Sequence, residues 1–590
     1  MSVNSEPPTN FLPVSRQEME QLGWDRPDVI LVSGDAYVDH PSFGTAVMGR
    51  VAEYGGMRVA ILPQPNCRDD LRDFKKLGAP RYFFGVTAGA MDSMVNHYTA
   101  LRRRRSDDAY TPGGRPGYRP DMPSVVYTRI LKQLYPNVPV VLGGVEASMR
   151  RFAHYDYWQD KLRPSILAES GADMLVYGMG EQALLRMLAL LEKGVPFSSL
   201  HNIPQTAYLT RPGQKPPPLK GVGETRLPSF EECLGSKKAF AAAFRLMEEA
   251  TTGMDSDRLV QAHADRLLVV NPPFPPPGQK DADLPYDLPY TRMPHPKYRN
   301  KPPIPAWVMI RNSVTLHRGC FGGCSFCAIA AHQGKFVVSR SEASVLRELE
   351  QLAGMPWFTG HVSDLGGPSA NMYRMGGVDG SQCRRCRRPS CIHPSICPNL
   401  NYDHHPLIRI YDQALKVKGI KKVSIGSGVR TDMLTGQPPA LQRRYGLDEY
   451  TRKLLTRHVS GRLKVAPEHS SPGVLHAMRK PPFSAFKAFY QNFRQICRDE
   501  GLPWQLVPYL ISGHPGCHER DMRALAAVMQ KLGLKPEQVQ EFTPTPMTLA
   551  TTMYYTGMDP YTGKKIYSAR TDAGKRRQKM GFLGKVEGSK

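Results

Sequence analysis

Three cysteines fall within eight residues of the run His317-Arg318-Gly319-Cys320-Phe321-Gly322-Gly323-Cys324-Ser325-Phe326-Cys327. A cubane iron–sulfur cluster has four irons, each wanting one ligand beyond the cluster sulfides, and Cys320, Cys324 and Cys327 supply three. The remaining iron is free to chelate a small molecule, which a cluster kept only for electron transfer does not require. Gly319, Gly322 and Gly323 allow positive φ and let backbone N–H groups turn towards the sulfurs. A zinc loop is the competing reading, but structural zinc usually draws on two CxxC pairs and this run contains one.

A second concentration of thiols follows: Cys383, Cys386, Cys391 and Cys397 lie within fifteen residues, with His393, His404 and His405 nearby. The CxxC pair suits structural zinc, while the closing Cys397-Pro398 echoes bacterial ferredoxin runs; zinc, a second cluster and metal-free thiols all stay open. Arg384, Arg385, Arg387 and Arg388 put positive charge beside these thiols, either to hold an anionic substrate such as RNA or to screen neighbouring thiolates.

The first run, CxxxCxxC with aromatic Phe326 before its last Cys, resembles the signature of the radical S-adenosylmethionine (SAM) superfamily. Taken with SDLGGPSANMY, SIGSGVRTDML, KVAPEH and ISGHPGC, it resembles the YgiQ family (UPF0313) from about Asp28 to Tyr555. The resemblance implies a [4Fe-4S] cluster and SAM chelated to its open iron. An electron from a flavodoxin- or ferredoxin-type donor would cleave SAM to a 5′-deoxyadenosyl radical acting on an unknown substrate. It also implies that Gly366 and Gly367 meet the SAM amino group, that Ser427 and Arg430 face its ribose and carboxylate, and that Ile511 and Gly513 flank its adenine. Pro368 stands where the superfamily usually has Glu. Glu468 and His469 are the general acid/base candidates at the mouth of the site. The N-terminal region resembles a cobalamin-binding module, but the cobalt-ligating DxHxxG pattern has no match around Asp39-His40, so cobalamin is not expected.

These residues need a scaffold. With 590 residues and 41% hydrophobic content, the chain exceeds one ordinary core. Short β-branched runs alternating with helical patterns, beginning at Val29–Val32, Val59–Leu62, Tyr82–Val86, Val138–Leu142 and Met174–Tyr177, predict a doubly wound parallel α/β domain over 28–200. Residues 201–305 read as a Pro-rich strap with helices over 237–250 and 256–267. Residues 306–557 read as a partial β/α barrel, with an insertion at 371–405, whose functional residues sit at the strand ends. Residues 1–27 form an extension, and 558–590 a basic tail expected to be disordered.

No run of 18 apolar residues predicts a membrane span, and the N-terminus lacks a secretory pattern, so a cytoplasmic setting is expected. A net charge of +25 raises RNA as a partner, but from Lys564 onward nine Lys/Arg stand against two acids, which concentrates part of it in the tail. The alternative from another class is a non-catalytic Fe-S or zinc nucleic-acid-binding protein.

Overall fold

In the computed structural model, which describes residues 10–534 and 539–583, five parallel strands form the centre of the N-terminal domain. They are Val29–Ser33, Val59–Pro63, Phe83–Thr87, Val140–Gly143 and Met174–Val176, with the first lying between the second and third. Every residue of the first two is buried, as expected of a sheet covered on both faces. Val29, Leu31, Val59 and Ile61 join one apolar cluster, while Ile30, Val32, Ala60 and Leu62 join the other. The doubly wound arrangement is therefore present.

The sheet does not stop where the sequence suggests. Thr206–Leu209, Glu224–Leu227, Arg258–His263 and Arg266–Val270 extend it to nine strands, and the first, third and fourth of these pair antiparallel. The helix expected over 237–250 exists as Lys237–Thr251, whereas that expected over 256–267 is a hairpin turning at Ala264, φ +52°. Its apolar Leu259, Val260 and Leu268–Val270 are buried, and β-branched residues favour a sheet surface over a helix there. The strap is thus mostly sheet, with the proline run after Asn271 left irregular.

The second unit is the expected partial barrel. Ser313–Thr315 pairs parallel with Asp364–Gly366, His361–Val362 with Lys422–Val423, and Arg462–Glu468 with Gln505–Ser512 and then Val539–Glu541. Helices alternate with these strands; one, Glu342–Ala353, is capped by Ser341, whose side chain accepts from the Ser344 amide, and ends at Gly354. Within the insertion, Gly376–Gly377 pairs antiparallel with Leu400–Asn401.

The N-terminal extension is packed, and the C-terminal end of the chain differs from expectation. Residues 10–27 contribute buried Leu12, Val14 and Met19. Beyond the barrel, where a disordered tail was expected, helix Asp572–Leu583 packs on helix Glu519–Lys531. Its Gln578 amide donates to the Cys517 carbonyl and accepts from Gly513 N, and its Lys575 side chain contacts the Tyr157 hydroxyl. Charge count misled because Lys575 and Gln578 are buried and hydrogen-bonded on the face that also buries Phe582. The rest of that expectation, residues 584–590, lies outside the described residues, as do residues 1–9 and 535–538.

Candidate functional site: a three-cysteine loop between two domains

The cysteine loop is anchored from several directions. Gly319 and Gly323 take φ of +85° and +61°, and a Cβ on either would come within 2.3 and 2.5 Å of the carbonyl oxygens of Phe336 and Pro389. Gly322 is equally restricted, since its Cβ would sit 2.8 Å from the Arg430 guanidinium. Ser325 N donates to the Met478 carbonyl, Ala550 N donates to the Ser325 carbonyl, and Ser325 Oγ lies 3.1 Å from His514 Nε2. Phe326 packs edge-on against the His514 ring at 5.9 Å. His514 is therefore a structural support for the loop, and composition and spacing had not singled it out.

Burial raises the Cys320 thiol and pushes Cys327 up to about 12, with the neighbouring cysteines adding to each. Both are thus protonated near neutrality in the metal-free chain, and an electrophilic metal is what ionises such thiols on binding. Arg430 is positioned to favour that charge: its Nη1 is 3.3 Å from Cys324 Sγ, while Nε and Nη2 pair with Asp432 at 3.1 and 2.6 Å. Gly322 N lies 3.4 Å from Cys320 Sγ, and Ser369 Oγ lies 3.6 Å from it. Three thiols, a fixed cation and backbone donors suit an anionic iron–sulfur cluster.

Arg430 is thereby engaged at the loop by Cys324 Sγ and the Asp432 carboxylate. Ser427 is similarly tied: its hydroxyl and amide, together with Gly426 N, bind the Asp364 carboxylate. Ser427, Asp364, Gly366 and Gly367 nonetheless line a cavity of about 620 Å³. Both glycines are needed there. A Cβ on Gly366 would meet Ser427 Oγ at 2.9 Å, and one on Gly367 would meet the His317 ring at 2.4 Å. The opposite wall is made by Thr45, Gly89, Gly143, Gly144, Gly178 and Gly180 of the N-terminal domain, so the glycines at its strand ends do line a cavity.

A second cavity, of about 240 Å³, includes Cys324, Ser325 and Cys327 in its wall, along with Arg151, Tyr177, Met247 and Phe274. The two cavities share Glu181, Arg318, His332 and Gln333. Arg318, two residues before Cys320, pairs with Glu181 of the N-terminal domain at 2.5 Å and stands between them.

Neither member of the expected acid/base pair lines either cavity. His469 is fully buried; its Nδ1 accepts from Ser470 N and Ser471 N at 2.9 and 3.0 Å, and its Nε2 faces Cys517 Sγ. Burial pushes it down to about 4, so it is a neutral structural residue lining neither cavity. Glu468 sits beside a register shift at φ +65°, a conformation that non-glycine residues rarely hold. Burial raises its carboxyl, Lys480 opposes that rise from 3.7 Å, and its charge helps to raise the Cys327 thiol. Ile511 and Gly513 also line neither cavity. His40 is buried, its Nδ1 accepting from Ser42 N.

The insertion thiols are held differently. Cys386 Sγ lies 3.4 Å from Lys335 Nζ and Cys383 Sγ lies 3.5 Å from Asn399 Nδ2. Burial raises Cys383 and pushes Cys391 up to about 11. Among the described residues, no three His, Cys, Asp or Glu side chains gather closely enough to hold a single metal ion. Tetrahedral zinc requires four donors around one point, whereas a cube spreads its three thiolates over three irons.

No helix among the described residues is long and apolar enough to cross a membrane. Residues 11–313 match the family model described as radical SAM N-terminal, and 537–582 match a domain of unknown function, DUF3362. Among solved structures, the radical SAM methyltransferase TsrM from Kitasatospora setae, with cobalamin and a [4Fe-4S] cluster bound, shows a TM-score of 0.47 at 14% identity over 88% of this chain and 74% of that one. The cobalamin-dependent SAM radical enzyme OxsB, with aqua-cobalamin bound, shows 0.49 at 10% over 88% and 54%. Likenesses this remote carry no argument for or against cobalamin in this chain. A UPF0313 protein of Porphyromonas gingivalis is 58% identical over 98% of this chain and 90% of its own length, and UPF0313 protein YgiQ of Escherichia coli K12 is 42% identical over 97% and 83%. With identity sustained along almost the whole chain and a radical SAM N-terminal domain over its first half, this protein belongs to the UPF0313 family of radical SAM proteins.

Proposed function

We propose that the protein is a radical SAM enzyme whose Cys320, Cys324 and Cys327 hold a [4Fe-4S] cluster. When bound, the cluster and SAM would supply reductive cleavage of the sulfonium bond and a 5′-deoxyadenosyl radical for hydrogen abstraction. The observation that carries this reading is the convergence of three thiols, the Asp432-held Arg430 guanidinium and a glycine-dependent backbone on one loop that opens into a cavity.

The chain's own contribution is position and exclusion of water. Arg430 offsets negative charge at the Cys324 sulfur, and Ser325, fixed by Met478, Ala550 and His514, keeps the loop from reorganising. Gly366, Gly367 and Ser427 leave room for a ligand's backbone-level approach in the larger cavity. A flavodoxin- or ferredoxin-type protein would deliver the electron.

Anaerobic reconstitution with iron and sulfide, followed by SAM and dithionite, should yield about four irons per chain and 5′-deoxyadenosine. Loss of that product in Cys324→Ala supports the reading. A wild-type protein that binds iron but never cleaves SAM refutes it, and salt-dependent RNA affinity in its place would favour the binding-protein alternative.

A further inference from the structure

Nine arginines are buried among the described residues, and one of them stands apart. Seven pair with an Asp or Glu. Arg258 fills its fork with neutral oxygens from Asn271, Pro217 and Asn202. Arg151, 4% exposed, has no carboxylate partner: Nη1 donates to the Ser148 carbonyl at 2.7 Å, and Nε has no acceptor. Its guanidinium lies over the Tyr177 ring at 4.5 Å and the Phe152 ring at 5.2 Å. A buried, unpaired guanidinium is costly, and burial lowers it to about 10, which still leaves it charged near neutrality.

Arg151 lines the cavity that contains Cys324 and Cys327. The acids in the same wall are spoken for: Glu181 pairs with Arg318 and Glu248 with Arg479, while Asp281 is exposed at the rim. Lys335, also in the wall, is turned to the insertion, donating to the Arg388 carbonyl at 2.9 Å and lying 3.4 Å from Cys386 Sγ. His332, which burial and Arg151 keep neutral by pushing it down to about 4, leaves Nδ1 without a partner. Phe244, Met247 and Phe274 supply an apolar wall. The net arrangement is one pre-oriented, desolvated fork, an unused imidazole nitrogen and an apolar slot ending at the cysteine loop.

We propose that Arg151 recognises the substrate's anionic group, so that the compound acted on at the Cys324–Cys327 loop is a small molecule carrying a carboxylate or phosphate on an apolar body. A planar guanidinium suits both oxyanions bidentately, and Phe244, Met247 and Phe274 in the same wall suit an apolar body. The assignment of the ligand as substrate rests on the radical SAM reading above. The recognition of an anion does not.

The probes are 4-iodobenzoate and its neutral counterpart 4-iodobenzamide, titrated calorimetrically into the anaerobic full-length protein, with the iodine located by anomalous scattering. The carboxylate is expected to bind at least about tenfold more tightly than the amide, the ratio one charge-assisted hydrogen bond provides, with its oxygens on Arg151. Arg151→Met should abolish that preference, and Arg151→Lys should keep part of it. Equal affinities, no carboxylate binding, a preference surviving in Arg151→Met, or iodine density elsewhere overturns the proposal; the crystallographic arm decides even if the Met variant does not fold. In cluster-loaded protein, simultaneous binding of SAM and the carboxylate supports a substrate site, whereas mutual exclusion assigns Arg151 to the SAM carboxylate and overturns it. Intact carboxylate preference in protein that never produces deoxyadenosine would refute the proposed function and leave the anion site standing.

Discussion

Two cysteine-rich regions of this chain have similar composition and different structure. The loop Cys320–Cys327 is tied by its backbone to Met478 and Ala550, by Ser325 to His514 and by Arg430 to a buried carboxylate. In the region from Cys383 to Cys397, two of the four sulfurs, those of Cys386 and Cys383, lie against Lys335 and Asn399, and much of the charge is exposed, as at Arg384, whose side chain is 64% exposed. The contrast teaches that a reactive site depends on how far the surrounding fold has pre-paid the ordering of its ligands, more than on the number of thiols.

The largest effect that can break the comparison is loss of activity. Cys324→Ala should remove deoxyadenosine formation below detection, while Cys391→Ala should retain it; chromatography of the reaction products checks both, and equal losses would erase the distinction.

Acid should act next, through the support of the first loop. Burial pushes His514 down to about 3, against about 6.5 in an unfolded chain. Below pH 6.5 the unfolded state takes up a proton that the folded state refuses, so stability is complete above that pH and declines as pH falls towards 3, by up to about 1.4 kcal/mol per pH unit. Denaturant titrations across that window should show a shallower decline in His514→Asn than in wild type.

Gly323→Ala should cost on the order of 1–3 kcal/mol from its left-handed backbone, with more from the close Pro389 carbonyl, seen as a lower melting temperature and reduced iron retention. Gly380, in the insertion, has no atom within 4 Å of its Cβ position, and its Ala variant should be nearly neutral. The smallest effect belongs to Arg384→Ala, which breaks an exposed pair with Asp255 and should change stability by less than about 0.5 kcal/mol; a larger loss would mean that the insertion is as firmly built as the loop.

Local pattern made some of this molecule legible. The five parallel strands are continuous apolar runs because both their faces are covered, and the Ser341 cap and Gly354 stop mark a helix with nearest-neighbour chemistry. The hairpin at 258–270 was missed because its partners are Thr206–Leu209 and Glu224–Leu227, tens of residues earlier. The helix at 572–583 was missed because two of its buried side chains, Lys575 and Gln578, are polar and held by hydrogen bonds to distant residues. Asp364 and His514 were passed over as loop supports for a related reason: their partners Ser427 and Ser325 are 63 and 189 residues away.

From residue types alone came the three-thiol loop, its need for glycines and the two-domain α/β plan, since these depend on spacing and on which side chains a backbone turn tolerates. Only the tertiary structure decided what each charge does. It turned Arg430 onto Cys324 and Asp432, withdrew His469 into the core and left Arg151 unpaired in a cavity. The pairing of buried ions is set by which distant strands the fold brings into contact, and the strength of each pair by how completely that contact excludes water.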